Sequence, residues 1–256
     1  MRNFIQKLFI GSLFLVCLLS CGSVEVRQSD PSLMSPENQG RIGLGGGLEV
    51  GSLDQYELTP DASRRPPILK NEKLNSSPDL RGGLNYAFDR NFELGAALTA
   101  YLGMKGHIKY SFLTESSSPF KLAVYGQVFF DSTNRTGDQS GNFGAGGYNW
   151  AARGQSRLTV FGPSLGYRFN DEVLIFANYG IGSSALQLKI SQDPGSGDPG
   201  GAFTTSTKAN VSNLGLGLVL GKSTPFTIGA TYTVKKWQDE KLGQQYNTAL
   251  FAGVNF

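Results

Sequence analysis

Apolar and polar residues alternate with a period of two along most of the chain beyond residue 40, and this alternation most constrains the fold. In the clearest stretch, 226–234 (FTIGATYTV), aromatic and aliphatic residues fall on one face and Thr or Gly on the other. The stretches 92–102, 120–130 and 214–220 repeat the pattern. No stretch beyond residue 40 keeps a helical period, and no apolar run there is long enough for a membrane helix. A period of two is that of a β-strand with one apolar face, so the sequence predicts an all-β domain.

The lengths of the connections indicate how the strands are joined. Candidate strands lie near residues 41–50, 80–88, 92–102, 104–113, 120–130, 158–169, 173–190, 208–221, 226–235 and 246–256. Apart from a tight turn near Gly103, short connections (89–91, 114–119, 170–172, 222–225) alternate with longer ones rich in Gly, Pro, Ser, Asn and Asp (51–79, 131–157, 191–207, 236–245). This alternation is typical of bacterial outer-membrane barrels. The sequence therefore predicts an antiparallel up-and-down transmembrane β-barrel of about ten strands, or alternatively eight. Its short turns would be periplasmic and its longer loops extracellular.

Phenylalanines mark the short-turn ends of the predicted strands, and by alternation each of them faces outward. They are Phe88, Phe92, Phe112, Phe120, Phe169, Phe226 and Phe256. A ring of outward aromatic side chains at one rim is typical of the boundary between hydrocarbon and lipid headgroups. A soluble β-sandwich would also show alternation, but it has no reason to carry this ring.

Composition argues against several classes of site. Charged residues make up 17% of the chain, below the roughly 25% of an average soluble domain. Both cysteines lie within the first 21 residues and His107 is the only histidine, so we expect no disulfide framework, metal site or cofactor. The net charge of +3 comes without a Lys/Arg run and gives no support to nucleic-acid binding.

The first 21 residues carry a secretion signal. Arg2 and Lys7 precede an apolar run over 8–19, which is too short for a comfortable membrane helix and leads into LLSC at 18–21. This ending resembles the lipobox of bacterial lipoproteins, which implies that Cys21 is acylated and becomes the mature N-terminus. The alternative is an ordinary signal peptide cleaved nearby. The predicted organisation is a lipoprotein signal peptide over 1–20, a lipidated flexible tether over 21–40 and the outer-membrane barrel over 41–256.

An even-stranded barrel begins and ends on its short-turn side. We therefore expect a protein of the bacterial outer membrane whose lipid anchor lies on the periplasmic side.

The last strand resembles the closing strand of outer-membrane β-barrels of the small, porin-like kind. In 246–256 (YNTALFAGVNF), Tyr246, Val254 and Phe256 lie on one face. In that family the pattern is read by the barrel-assembly machinery, so the resemblance implies this machinery and outer-membrane lipid as partners. The lipoprotein-type signal departs from the plain signal of most such barrels. It leaves open a rival arrangement, a lipoprotein with a tethered periplasmic β-domain.

Charged side chains are predicted to face the lumen, where basic residues outnumber acidic ones. The predicted network consists of Arg81, Glu93, Lys105, His107, Lys109, Lys121 and Arg168. Because unpaired charges are costly in a small barrel, we expect Glu93 to pair with a nearby Arg or Lys. The alternative is a narrow, anion-favouring pore for small solutes, since a ring of cations raises the local concentration of anions.

His107 is the residue to test for catalysis, with Ser111 four residues further on the same face. Lys105 and Lys109 flank it on that face, and a histidine between two cations is poorly suited to act as a general base. We therefore predict no catalytic residues and no enzyme. The favoured function is a structural or surface-interaction role with unidentified surface partners. The alternatives are the anion pore and, behind it, a membrane-embedded lipid-modifying enzyme.

Overall fold

The computed structural model describes the chain from residue 24 to residue 255 with several gaps. The described residues are 24–38, 42–50, 53–59, 68–72, 78–88, 91–99, 103–113, 118–139, 148–192, 202–221, 224–240 and 242–255. Within these ranges, no helix is both long and apolar enough to span a membrane.

Thirteen strands make up the described fold. They are β1 (Val24–Ser29), β2 (Ile42–Val50), β3 (Leu53–Thr59), β4 (Ile68–Glu72), β5 (Pro78–Ala87), β6 (Phe92–Thr99), β7 (Met104–Ser111), β8 (Phe120–Gln139), β9 (Tyr148–Asn170), β10 (Val173–Gln192), β11 (Ala202–Leu220), β12 (Phe226–Trp237) and β13 (Gln244–Asn255).

Ten of these strands close into one antiparallel barrel. β2 pairs with β5, the strands from β5 to β13 pair in chain order, and β13 returns to β2 with Leu250 opposite Val50. The remaining three form a small antiparallel sheet in the order β1-β3-β4. The predicted ten-stranded up-and-down barrel is confirmed, and the eight-stranded alternative is wrong.

The strands β8, β9 and β11 are longer than the sequence predicts, whereas β10 nearly matches its predicted range of 173–190; all four are long. They contain 20, 23, 20 and 19 residues, whereas about ten residues are enough to cross a bilayer. Most of 131–157, predicted as a loop, is a β8–β9 ladder, and 51–79 contains β3 and β4. The stretch 131–157 has no sustained apolar alternation, so nothing in its polarity distinguishes it from a loop. We call the end that carries these extensions the long-strand end and the opposite one the short-turn end.

The outward face of the barrel changes from apolar to polar along each long strand. On β11, Leu216 and Leu214 are exposed, and the outward positions beyond them are polar, as at Lys208 and Ser206. On β10, Ile181 is followed outward by Ser183. The apolar residues form a belt around the barrel, which suits contact with lipid because neighbouring strands of the closed barrel pair their backbone polar groups with one another.

Aromatic rings edge this belt at the short-turn end, as predicted from alternation. Phe88, Phe112, Phe120 and Phe169 are all exposed there. Neighbouring tyrosines meet these rings edge to face, with centroids 4.8 Å apart for Tyr86–Phe88, 5.0 Å for Tyr110–Phe112 and 5.2 Å for Phe120–Tyr167. Phe256 lies outside the described residues.

The belt predicts a position-dependent cost for a charge on the outward face of β11. We expect Leu216→Arg, in the middle of the belt, to lower the free energy of unfolding in lipid vesicles by about 2–4 kcal/mol. Ser206→Arg is the matched control, since it places the same side chain on the same face above the belt, and we expect little change. Denaturant titrations of both variants, followed by Trp fluorescence, measure the difference. An equal loss in the two variants would contradict the assigned edge of the belt.

Candidate functional site

A segment of the chain itself, residues 24–38, occupies the interior of the barrel. Most of its side chains are buried, including Val26, Asp30 and Leu33. Along β8, residue 27 contacts Asp131 and residue 32 contacts Gln127, while Glu37 lies near Lys121. The segment therefore runs from the long-strand end at residue 24 to the short-turn end at residue 38. We call it the lumen segment.

This course differs from the predicted flexible tether over 21–40 on the periplasmic side. Fifteen consecutive residues of that range are packed inside the barrel, and Val24 lies at the end opposite the short turns. The difference arises because polar groups that look solvated in the sequence find partners on the lumen wall. Cys21 and the predicted signal peptide lie outside the described residues.

At the long-strand end the wall strands bind the backbone of the lumen segment. The Ser156 hydroxyl donates to the Arg27 carbonyl at 2.8 Å, and the Arg27 amide donates to the Asp131 carboxylate at 3.3 Å. The Gln28 side chain accepts from Ser184 Oγ at 2.9 Å. Partners on three neighbouring strands hold β1 at this level.

In the middle of the barrel the contacts become ionic. Asp30 forms an ion pair with Lys235 at 2.8 Å, and both side chains are 1% exposed. Gln127 accepts from the Ser32 amide at 2.9 Å and donates to the Ser32 carbonyl at 2.7 Å. Lys105 donates to the Ser32 hydroxyl at 3.1 Å. A buried ion pair and a two-way amide contact together fix the height of the segment.

At the short-turn end Glu37 brings a carboxylate between two cations. Arg168 donates to it through two nitrogens, Nε lying 2.7 Å from Oε1, and Lys121 lies 3.8 Å away. Lys109 donates to the Glu37 carbonyl at 2.7 Å, and Ser111 donates to the Pro36 carbonyl at 2.8 Å. This end of the segment is tied to three strands, β7, β8 and β9.

Apolar side chains and inward-facing glycines complete the fit. Leu33 packs with Leu174, Phe176 and Val219, whereas Met34 packs with a second cluster that includes Tyr125 and Phe129. A Cβ added at Gly154 would lie 2.1 Å from Val26, and one added at Gly215 or Gly229 would lie 2.7 Å from Leu33. Real Cβ contacts do not come this close, so side chains at these positions would collide with the segment.

The predicted lumen residues form two groups on the wall. Glu49 pairs with Arg81 at 2.9 Å and with Lys105 at 2.7 Å. Glu93 lies 3.2 Å from Lys109 and 3.1 Å from His107. Lys121 and Arg168 stand apart from both groups and meet Glu37 instead. The predicted pairing of Glu93 with a lysine is therefore present in the structure.

Sequence reasoning missed further charged residues of the lumen, among them Asp30, Glu37, Glu49, Asp131 and Lys235. Glu49 and Lys235 stand at inward positions of their strands, so alternation was sufficient to find them. Asp30 and Glu37 lie in the stretch interpreted as a tether. The one available signal was the excess of predicted lumen cations, which calls for carboxylates from elsewhere.

His107 and Ser111 do not form a catalytic pair. His107 Nε2 faces Glu93, whereas the Ser111 hydroxyl donates to Pro36 and lies 3.1 Å from the Asn38 side-chain oxygen. A cavity of about 130 Å³ lies between the lumen segment and the wall near His107, with room for a few water molecules. Across the described residues, no group of three or more His, Cys, Asp or Glu side chains is arranged to hold a metal ion.

Of the predicted assembly signal, Tyr246 is exposed on the outer face and Val254 is half-buried on the same face. Phe256 falls outside the described part of the chain. Nothing in these positions tests recognition by the assembly machinery, which stays a prediction.

No protein-family model and no curated protein matches the chain. Among solved structures it is similar to Ail, the attachment invasion locus protein of Yersinia pestis, in complex with the heparin analogue sucrose octasulfate (14% identity, 84% of this chain and 96% of that chain covered, TM-score 0.36). It is also similar to the outer membrane protease OmpT of Escherichia coli (12% identity, 88% of this chain and 98% of that chain covered, TM-score 0.45). A third similar structure is the N-terminal β-barrel domain of Pseudomonas aeruginosa OprF (12% identity, 85% of this chain and 100% of that chain covered, TM-score 0.27). At these identities and TM-scores the likeness carries no conclusion about this chain, whose closed barrel stands on its own strand pairing.

Because the ion pair between the lumen segment and β12 is buried, a single substitution that removes one of its charges should have a large effect on stability. Lys235→Met leaves Asp30 buried without its cation, so we expect the free energy of unfolding to fall by about 3–5 kcal/mol. Lys236→Met, one residue along and exposed, is the matched control with little expected effect. Adding Asp30→Asn to Lys235→Met should recover much of the loss. Denaturant titration of the four proteins tests this, and equal stability of the two lysine variants would contradict the pairing.

Proposed function

We propose that this protein is an outer-membrane β-barrel with a structural or surface-interaction role, closed to solutes in its resting form. The observation that carries the proposal is the lumen segment, which is bonded to the wall at the long-strand end, in the middle and at the short-turn end. A lumen filled in this way leaves the outer surface and the long-strand end as the parts that can meet a partner.

The long-strand end is the surface that we assign to the cell exterior. In barrels of this kind short turns face the periplasm and long connections face outward. β9 has 23 residues, about a dozen more than a tilted crossing needs, so it projects roughly 30 Å beyond the membrane. Together with β8, β10 and β11 it forms an external sheet, and β1, β3 and β4 add a second small sheet at the same end.

The alternative of an anion-favouring pore receives less support from the lumen. Its cations Arg81, Lys105, Lys109, Lys121 and Arg168 all have carboxylate partners, and Lys235 faces Asp30. Paired cations attract a passing anion much less than free ones do. A pore would require the lumen segment to leave the barrel.

We also propose that the protein is not an enzyme. His107 has a carboxylate partner, and among the residues that the structure describes no hydroxyl nucleophile lies within its hydrogen-bonding range, because Ser111 is turned toward the lumen segment. A serine that donates to a backbone carbonyl is not activated by a base. Unchanged lipid A in cells that overproduce the protein is the corresponding expectation.

Conductance measurements separate the closed barrel from the pore. We expect no sustained openings from the purified full-length protein in planar bilayers, because the lumen segment blocks the path. Deletion of residues 24–36 should give openings with a preference for anions, since the deletion removes Asp30 and leaves its partner Lys235 facing water. Folding of the deleted form is checked by its faster migration on an unboiled gel. Sustained openings from the full-length protein would contradict the proposed closed state.

We further propose that Cys21 is acylated and that its lipid lies on the outer side of the membrane. Val24 stands at the long-strand end, and three residues span at most roughly 11 Å. The hydrocarbon layer alone is about 30 Å thick, so the periplasmic leaflet is out of reach from this position. The lumen segment therefore supports an anchor on the outer side, in place of the periplasmic one expected from strand number.

Epitope accessibility on intact cells tests this topology independently of acylation. A tag inserted after Gly22 should be bound by antibody without permeabilisation, as should a control tag in the 238–240 turn at the long-strand end. A control tag at Asp171, in the β9–β10 turn, should require permeabilisation. A tag at Gly22 that behaves like the Asp171 tag would overturn the outer-side topology. Mass spectrometry of the N-terminal peptide, with Cys21→Ala as control, reports acylation separately.

A further inference from the structure

Five basic side chains cluster on the outer surface of β9 to β12, toward the long-strand end. Arg153 and Arg157 on β9, Lys189 on β10, Lys208 on β11 and Lys236 on β12 are all exposed. Arg157 stands opposite Ala185, which stands opposite Lys208, so these two cations are two strands apart, or roughly 10 Å. We call this group the outer basic patch.

The described parts of β9 to β12 carry no carboxylate, and Asp239 and Glu240 follow only in the turn after Lys236. The outward positions among its members are Gln155, Ser183, Gln187, Ser206 and Asn210. Arg153 and Lys189 are direct cross-strand partners, which places two like charges side by side. Like charges opposite one another destabilise a sheet unless an anion lies between them. An anionic group bound between Arg153 and Lys189 would therefore relieve this repulsion.

The patch begins where the apolar belt ends. Arg157 is the cross-strand partner of Phe130, an exposed residue at the upper edge of the belt, and its guanidinium lies 5.4 Å from the centre of that ring. Arg153 and Lys189 stand four residues further along their strands, roughly 13 Å above this edge. The cations thus cover the depth at which the headgroups of the outer leaflet surround the barrel.

We infer that the outer basic patch binds the phosphate groups of outer-leaflet lipid heads. Lys and Arg at a membrane boundary attract anionic lipid, and Arg forms paired hydrogen bonds with phosphate oxygens. The lipid would sit against the wall of β9–β11, its acyl chains along Phe161 and Ile181 and its phosphates among the cations. This inference rests on the proposed outer-membrane orientation and deepens it by naming a partner of the external sheet.

Titration of the folded, full-length protein in neutral detergent with purified lipopolysaccharide tests the inference. A variant that carries Arg153→Gln, Arg157→Gln, Lys189→Gln and Lys208→Gln should bind the probe at least about tenfold more weakly than the parent protein. These side chains are exposed, so the variant should keep its shift on an unboiled gel. The charge-conserving set Arg153→Lys, Arg157→Lys, Lys189→Arg and Lys208→Arg should bind within a few-fold of the parent.

Further arms distinguish the phosphate from other features of the probe. Dephosphorylated lipopolysaccharide should bind the parent protein as weakly as the intact probe binds the neutralised variant. Equal binding of both probes, or undiminished binding by the neutralised variant, would overturn the inference. Tight binding of a soluble sulfated glycan without binding of lipopolysaccharide would also overturn it, in favour of an extracellular polyanion. Epitope tags that place the external sheet in the periplasm would instead remove the orientation on which the inference rests.

Discussion

Backbone hydrogen bonding in lipid is the constraint on which the rest of this structure depends. Within the apolar belt no water can satisfy an unpaired amide or carbonyl, so the sheet must close on itself, as it does where β13 meets β2. A closed ring of ten strands has an inward face that must be hydrated or filled. Here a segment of the same chain fills it, and the inward glycines, the buried carboxylates and the two apolar clusters follow from that choice.

The charges of the lumen determine where the segment sits along the barrel axis. A buried ion pair adds little net stability, because desolvation offsets much of the attraction. Its value lies in specificity, since a slide of the segment by one residue would remove Asp30 from Lys235 and Glu37 from Arg168 together. With anchors at two heights, the segment has one favourable register.

The barrel could be predicted from the sequence because side-chain direction in a membrane strand alternates with a period of two and the outward face must be apolar. That rule located all ten barrel strands, and it stopped at the edge of the belt. Beyond Phe130 both faces of β8 are polar, so strand and loop look alike there, whereas the inward Leu186 and Leu188 continue the alternation on β10. The lumen segment was not readable, because Ser, Pro and Glu in a row predict a linker, and its partners lie as far away as Arg168 and Lys235. Only the unbalanced cations hinted that carboxylates would come from outside the wall.

The position of the lumen segment also bears on the order in which the molecule assembles. Residues 24–38 are synthesised before any wall strand, yet the ring around them is complete only when β13, the last strand, joins β2. A finished ring admits a chain only through its ends, so the wall either closes around the segment or is threaded afterwards. The many side-chain contacts along its length favour closure around it. The segment then acts as an internal template, and its contacts hold distant strands at the circumference of the closed barrel.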